Sequence, residues 1–422
     1  MKYREDLGMA AGALWLPTAK IDIEKWPVVA CDQYTSQPEY WAEVEGMVGT
    51  NPSTLHMIFP EIYLEQEGKE ERISRIQQSM EQYVAEGVVA PAVEEGFILV
   101  ERTVPVGKRL GLMMLVDLEA YDFSVGSDSL IRATEGTIIE RIPPRVAVRQ
   151  GATLELPHIM LLIDDKAQTV IEPIYNNRES LRQLYDVELM QHGGHLTGWA
   201  VEADAVEKVF ATLSDRKAEC GGLLYAVGDG NHSLATARQC WLNLRDTLSE
   251  DEKAKHPARF AMVELVNLYS EALIFEPIHR NLFHVNNEEL WENFLAYTRD
   301  IGKTAVEVTD GSWDVQWIVG DEKTSLRFEN LGDSLPVAIL QRYLDEYLAG
   351  HPETTIDYIH GAEVVEQLCR KDSDTAGMLL KGMDKTALFP FVRSEGSLPR
   401  KTFSMGEAYE KRYYMECRKI SE

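Results

Sequence analysis

The chain has 422 residues, 45% hydrophobic and 26% charged, a globular balance that can bury a core without disulfides or a structural metal. Acidic residues outnumber basic ones 69 to 42, and the formal charge of -27 opposes nucleic-acid and membrane partners while allowing a small anionic ligand in a local basic pocket. Five scattered cysteines without a CxxC pair, no signal-like N-terminus and no apolar run near the about 20 residues of a membrane span point to the cytoplasm.

Residues 39–49 and 66–86 carry helical periodicity; in the second, Ile73, Ile76, Met80 and Val84 recur on one face, and Gly87 to Pro91 closes it. Strands are predicted at 97–104, 110–118, 158–164 and 168–174. The last two flank a polar turn at Asp164–Ala167 and read as a hairpin. A mixed segment, LIRATEGTIIERIPPR, lies between strands at 130–145. The HGGH segment, His192 to His195, predicts a mobile loop over a site rather than a zinc site, because no Cys accompanies it.

A helix over 201–215 presents Val206, Val209, Phe210 and Leu213. GLLYAVG at 222–228 is a short apolar strand, Asp229-Gly230 turns the chain, and a helix follows with Leu234, Ala237, Trp241, Leu244 and Leu248 on one face. Strands FAMVELVNL and ALIFEPIHRNLFHV come next, the latter broken at Pro277. A composition shift near Asn286 opens a smaller α+β unit, with strand-like WDVQWIVG and SLRFEN and helices at 336–349 and 361–371. The tail is basic for this chain, with Arg400, Lys401, Lys411, Arg412, Arg418 and Lys419. The expected division is a core over 1–285, a smaller unit over 286–398, and a tail over 399–422 that returns to the core.

The chemistry concentrates at Tyr225–Ala237, YAVGDGNHSLATA. A strand ends, a glycine turn follows and a helix starts, so unsatisfied backbone N–H groups and the helix dipole favour phosphate or carboxylate there. Asp229 can take a proton or hold a metal, and His232 can meet a phosphate or move a proton. Asp, Asn and Ser are also ordinary turn and capping residues, so a plain helix cap is the competing reading of Asp229, Asn231 and Ser233. Arg132, Thr134, Glu135, Thr137, Glu140, Arg141 and Arg145 gather charge and hydroxyls in the mixed segment, as an anion grip or as a solvated stretch of internal ion pairs. His279-Arg280 at a strand end and Lys401 in PRKT are further anion-binding candidates. No Walker A, GxGxxG, HExxH or GxSxG pattern occurs.

Together these pieces resemble the DUF1015 family of bacterial proteins over nearly the whole chain. NPSTLHMIFPEIYL, RLGLMMLVDLEAYDF, RATEGTIIER, VGDGNHSLATA, PIHR and LPRKTF stand in the family's order. The chain departs from the family pattern at Ala133, Asn231 and Ser233, where the family has His, His and Arg, and at Cys31-Asp32-Gln33-Tyr34, where it has Pro-Pro-Tyr-Asp. The DGNHS turn is similar to the phosphate-binding turn of the ParB/sulfiredoxin fold, whose members include CTP-binding partition proteins and free-serine kinases.

The resemblance implies an α+β fold, a mixed sheet with flanking helices around a ParB/sulfiredoxin-like core. It implies a nucleotide-dependent phosphotransferase or small-molecule kinase in serine metabolism, acting on serine, phosphoserine or a similar hydroxy acid with Mg²⁺ and ATP or ADP. Asp229, His232 and Glu135 would be catalytic. Gly230, Asn231, Ser233, Arg132, Thr137, Arg141, His279, Arg280 and Lys401 would bind phosphate or nucleotide. No resident metal site is expected, and a homo-oligomer is open. The alternative is a nucleotide-binding regulator or a non-catalytic scaffold on the same fold.

Overall fold

The computed structural model describes residues 1–64, 66–124, 126–136, 142–332, 334–399 and 401–421. The fold is α+β, and the chain forms two compact units, residues 1–273 with 406–422, and residues 274–405.

The first unit carries strands β1 (Lys2–Arg4), β2 (Met9–Pro17), β3 (Val89–Val104), β4 (Gly107–Asp117), β5 (Tyr121–Asp122), β6 (Ile131–Ala133), β7 (Leu154–Glu155), β8 (Met160–Ile163), β9 (Gln183–Leu189), β10 (Gly194–Val201), β11 (Tyr225–Asp229) and β12 (Phe260–Asn267). Its helices are α1 (Pro38–Val48), α2 (Lys69–Ala85), α3 (Ile142–Arg149), α4 (Glu172–Asn176), α5 (Asp204–Glu219), α6 (Asn231–Arg245) and α7 (Glu250–Lys255). The main sheet runs β5-β6-β11-β8-β12-β4-β2-β3-β10-β9, with β1 on β2 and a further β3–β4 pairing. It is mixed: β6 is parallel to β5 and β11, β8 is parallel to β12, and the remaining pairs are antiparallel.

Side chains of successive strand residues point to opposite faces. Ile98, Val100, Met113 and Leu115 therefore enter one core, with Trp26 and Trp41. Phe97, Leu99, Leu112, Met114 and Val116 enter the other, with Phe210 of α5 and Trp241 of α6. A sheet covered on both faces reads as continuous apolar runs, which is how 97–104 and 110–118 appear in sequence.

Residues 168–174 do not form the second strand of a hairpin. β8 pairs with β11 and β12 instead. Beyond it the Asp165 carboxylate accepts from Thr169 N at 2.6 Å, Val170 N at 2.9 Å and Thr169 Oγ1 at 3.0 Å. That side-chain acceptor satisfies backbone donors a ladder would have used, and the chain turns into α4. Val170 and Ile171 are apolar because they are buried in the second core, not because they alternate in a strand.

The second unit carries β13 (Phe275–Pro277), β14 (His279–Phe283), β15 (Ala305–Glu307), β16 (Val315–Val319), β17 (Glu322–Phe328), β18 (Thr355–Ile359), β19 (Thr375–Leu380) and β20 (Phe403–Met405). Its helices are α8 (Asn287–Asp300), α9 (Pro336–Gly350), α10 (Ala362–Lys371) and α11 (Leu388–Ser394). The six-stranded sheet, β15-β17-β16-β19-β14-β18, packs Trp317, Met378 and Leu282 with Phe294 of α8 and Tyr343 of α9. Strand pairing sets the division between units: β13 pairs with β20, and β14 with β18 and β19, so residues from Ile274 onward belong here. The last strand, β21 (Arg418–Lys419), pairs with β7 in the first unit.

Candidate functional site

β11 runs between parallel β6 and antiparallel β8. Its register against β8 slips between Val227 and Asp229, and Gly230 then takes φ 75°, a left-handed conformation, as the N-cap of α6. A Cβ there would lie 2.9 Å from Ile159 Cα and 3.1 Å from His158 O, so the turn is pressed against backbone and admits only glycine without a shift. Glycine brings no capping side chain, and α6 opens on backbone N–H groups aimed along the helix axis.

The two polar segments meet at this end of the sheet. Ile131–Ala133 pair in register with Tyr225–Val227. Thr134 N donates to Asn231 Oδ1 at 3.3 Å and Thr134 Oγ1 donates to Val227 O at 2.6 Å. Glu135 follows half-buried. Asn231 is buried with its carboxamide on this strap, while His232 and Ser233 are half-buried in the first turn of α6. Arg132 turns to the other end of β11, its guanidinium donating to Ser129 O at 2.9 Å and Gly222 O at 3.2 Å. Thr137 and Arg141 lie outside the described residues.

Among the described residues, Lys411 brings a cation to the turn. Its Nζ sits 3.1 Å from Asp229 Oδ2, while Asp229 Oδ1 accepts from Gly230 N at 2.9 Å. The tail places it. Ala30 N donates to Arg412 O at 2.8 Å, Tyr414 N donates to Val28 O at 2.9 Å, and the Arg412 guanidinium donates to Pro157 O at 3.2 Å. Residues 411–414 are thereby held between the segments that carry Asp32 and His158. Arg412 also pairs with Glu264 at 3.0 Å and Glu416 at 2.5 Å, all three buried.

A second ion pair adjoins the first. His158 Nε2 lies 3.4 Å from Asp32 Oδ2, and His158 Nδ1 lies 2.7 Å from the Tyr414 hydroxyl, which accepts from Cys31 N at 3.1 Å. Burial pulls the His158 pKa down, but the Asp32 carboxylate outweighs it and holds the imidazole charged, well above its ordinary value. Burial pushes Asp32 up, but His158, the Gln33 amide and the Lys411 ammonium together hold it well below the usual carboxylate range. The neighbourhood of Gly230 thus holds two carboxylates, an ammonium and an imidazolium.

The other anticipated residues lie in the second unit. Arg280 is fully buried; its guanidinium donates to Gln341 Oε1, Ile278 O and Lys401 O at 2.9, 2.5 and 2.8 Å. His279 accepts from Leu380 N at 3.1 Å, and burial brings its pKa down to about 4. Lys401 is exposed, with φ 57°. The His192–His195 segment is the turn of the β9–β10 hairpin; it meets the tail, where the Tyr413 hydroxyl donates to Met190 O at 3.0 Å, and a Cβ on Gly194 would lie 2.1 Å from Thr103 O. The His195 ring sits between the Asp186 and Glu188 carboxylates, at 2.5 and 2.9 Å. Asp32, His158, Lys411 and Tyr414 were not singled out by sequence. Their available signals were a Cys-Asp pair where the family has prolines, and the basic tail.

The molecule is therefore an α+β protein with a strand–glycine–helix turn flanked by paired charges. The chain belongs to the DUF1015 family, described as a protein of unknown function, whose model matches residues 14–389. No curated protein matches it. Among solved structures it is similar to a free serine kinase in complex with AMP, at 9% identity, TM-score 0.40, covering 73% of this chain and 91% of that one. It is similar to SbnI with C-terminal truncation from Staphylococcus aureus, at 10% identity, TM-score 0.39, covering 70% and 82%. It is also similar to a conserved hypothetical protein from Pyrococcus furiosus, at 10% identity, TM-score 0.36, covering 73% and 95%. Among the described residues, no helix is long and apolar enough to cross a membrane.

Proposed function

We propose that the chain binds the phosphates of a nucleotide at Asp229–Ser233 and transfers a phosphoryl group between it and a small hydroxy acid such as serine. The observation that carries this reading is the Lys411 ammonium at Asp229, beside a helix that opens on a bare glycine. Phosphoryl transfer needs cationic and N–H donors on the phosphate oxygens and a base to orient the hydroxyl. An arriving phosphate competes for Lys411 and releases Asp229. Asp229 then takes the hydroxyl proton, the hydroxyl oxygen bonds to phosphorus, and the bond to the nucleotide oxygen breaks with its electron pair. Mg²⁺ brought by the phosphates needs one or two protein carboxylates. Glu135 and Asp32 are the groups that would meet it, and the ion would neutralise phosphate charge.

The test is ³¹P NMR with Mg²⁺, ATP or ADP, and serine, and in the reverse direction with phosphoserine. The expected result is phosphoryl exchange between nucleotide and serine, seen as the growth or loss of the phosphoserine resonance, at a rate that falls at least about a hundredfold in Asp229→Asn. Absence of exchange in both directions, across several hydroxy acids, overturns the transferase. Nucleotide binding without exchange supports the regulator reading. That reading draws on the partners Asp229 and Asn231 already have in Lys411 and Thr134.

A further inference from the structure

Beside α6, the first unit has a cavity of about 130 Å³ that is open on one side. Its walls include Met57, Phe59, Met80 and Leu156, and its α6 side presents Ser233 and Thr236. Those two residues are three apart on the helix and share a face, so the cavity starts one turn from the anion-binding end. The Thr236 hydroxyl is buried and has no hydrogen-bond partner among the described residues. A buried hydroxyl left unpaired is unfavourable, which makes it a mark of a missing polar partner.

We infer that this cavity receives the nucleobase of the nucleotide, with the Thr236 hydroxyl, shielded from the cavity in this structure, turning about its Cα–Cβ bond to meet the base edge, and the phosphates lying at Gly230–Ser233; the inference rests on the nucleotide reading above. Size allows it: an apolar cavity of about 150 Å³ takes a benzene-sized ring, and because this one is open on one side a larger base need not be wholly enclosed. Lining chemistry supports it too, since the thioethers of Met57 and Met80 and the Phe59 ring suit a flat π-system. A purely aliphatic occupant would leave the Thr236 hydroxyl unpaired, whereas a heteroaromatic edge offers both donors and acceptors.

Calorimetry on the full chain tests it with three probes: adenosine, inorganic pyrophosphate and ADP, with guanosine, cytidine and uridine compared against adenosine. Two variants are used, Thr236→Val, which keeps the shape, and Ala152→Phe, which fills the cavity from its lining. The expected result is a loss of ADP and nucleoside affinity of about fivefold in Thr236→Val and at least about tenfold in Ala152→Phe. Pyrophosphate affinity should be unchanged in both. If both variants bind ADP and nucleosides as the parent does, the cavity is not the base site, and pyrophosphate binding decides the anion reading separately. If nucleosides bind in a Thr236-dependent manner and pyrophosphate does not, the cavity stands and the anion turn fails. If no probe binds, both fail.

Discussion

Gly230→Ala is the substitution that probes the turn most sharply. A β-carbon at φ 75° carries a left-handed backbone penalty of about 1–2 kcal/mol. The same carbon would stand 2.9 Å from Ile159 Cα and 3.1 Å from His158 O, so the chain entering β8 must shift, at about 1–3 kcal/mol more. The two effects together give about 2–5 kcal/mol. Gly87 isolates the first of them: it has φ 66° and nothing within 4 Å of its would-be Cβ, so Gly87→Ala should cost only the backbone penalty. Urea unfolding followed by tryptophan fluorescence compares the two, with Trp241 reporting from α6. Equal destabilisation by the two substitutions would refute the claim that backbone contact shapes the turn.

Three further outcomes follow from the charges around it. His158 has its pKa raised and Asp32 its pKa lowered in the folded chain, so their pairing gives stability that is complete between about pH 4 and 6.5 and is lost as pH rises through the raised imidazole value. Asp32→Asn should abolish that alkaline decline and bring the His158 titration down to or below the ordinary imidazole range, read from its ring resonances by NMR; an unchanged titration contradicts the pairing. Lys411→Met should weaken ADP binding at least about tenfold while costing only about 1 kcal/mol of stability, because Asp229 is 26% exposed and water can solvate it. Unaltered ADP affinity in that variant removes Lys411 from the site. Arg412→Met leaves Glu416 buried without its cation and Glu264 with only Arg109 at 3.7 Å, and should cost about 3–5 kcal/mol, measured by denaturant unfolding; a loss under about 1 kcal/mol would show the carboxylates are otherwise compensated.

Sequence periodicity carries the long elements. The apolar runs at 97–104 and 110–118 are strands because both faces of their sheet are covered, and Leu234, Ala237 and Trp241 do bury one face of α6. The same reasoning misreads 168–174, because one carboxylate, Asp165, takes the backbone donors that a strand would have paired. The meeting of Thr134 with Asn231 depends on parallel pairing of β6 and β11, separated by about ninety residues of chain, which no local pattern encodes. Lys411 was visible only as one of several basic tail residues; backbone bonds to Val28 and Ala30 are what single it out. The cavity lining comes from several separate segments, so its existence has no linear signature.

A crystal structure of the chain with Mg²⁺ and ADP is the most direct test of the central claim. The account predicts phosphate oxygens on the backbone N–H groups of Asn231–Ser233, with Lys411 Nζ drawn from Asp229 onto the phosphate. ADP bound elsewhere, with the Asp229–Lys411 pair intact at 3.1 Å, would contradict it.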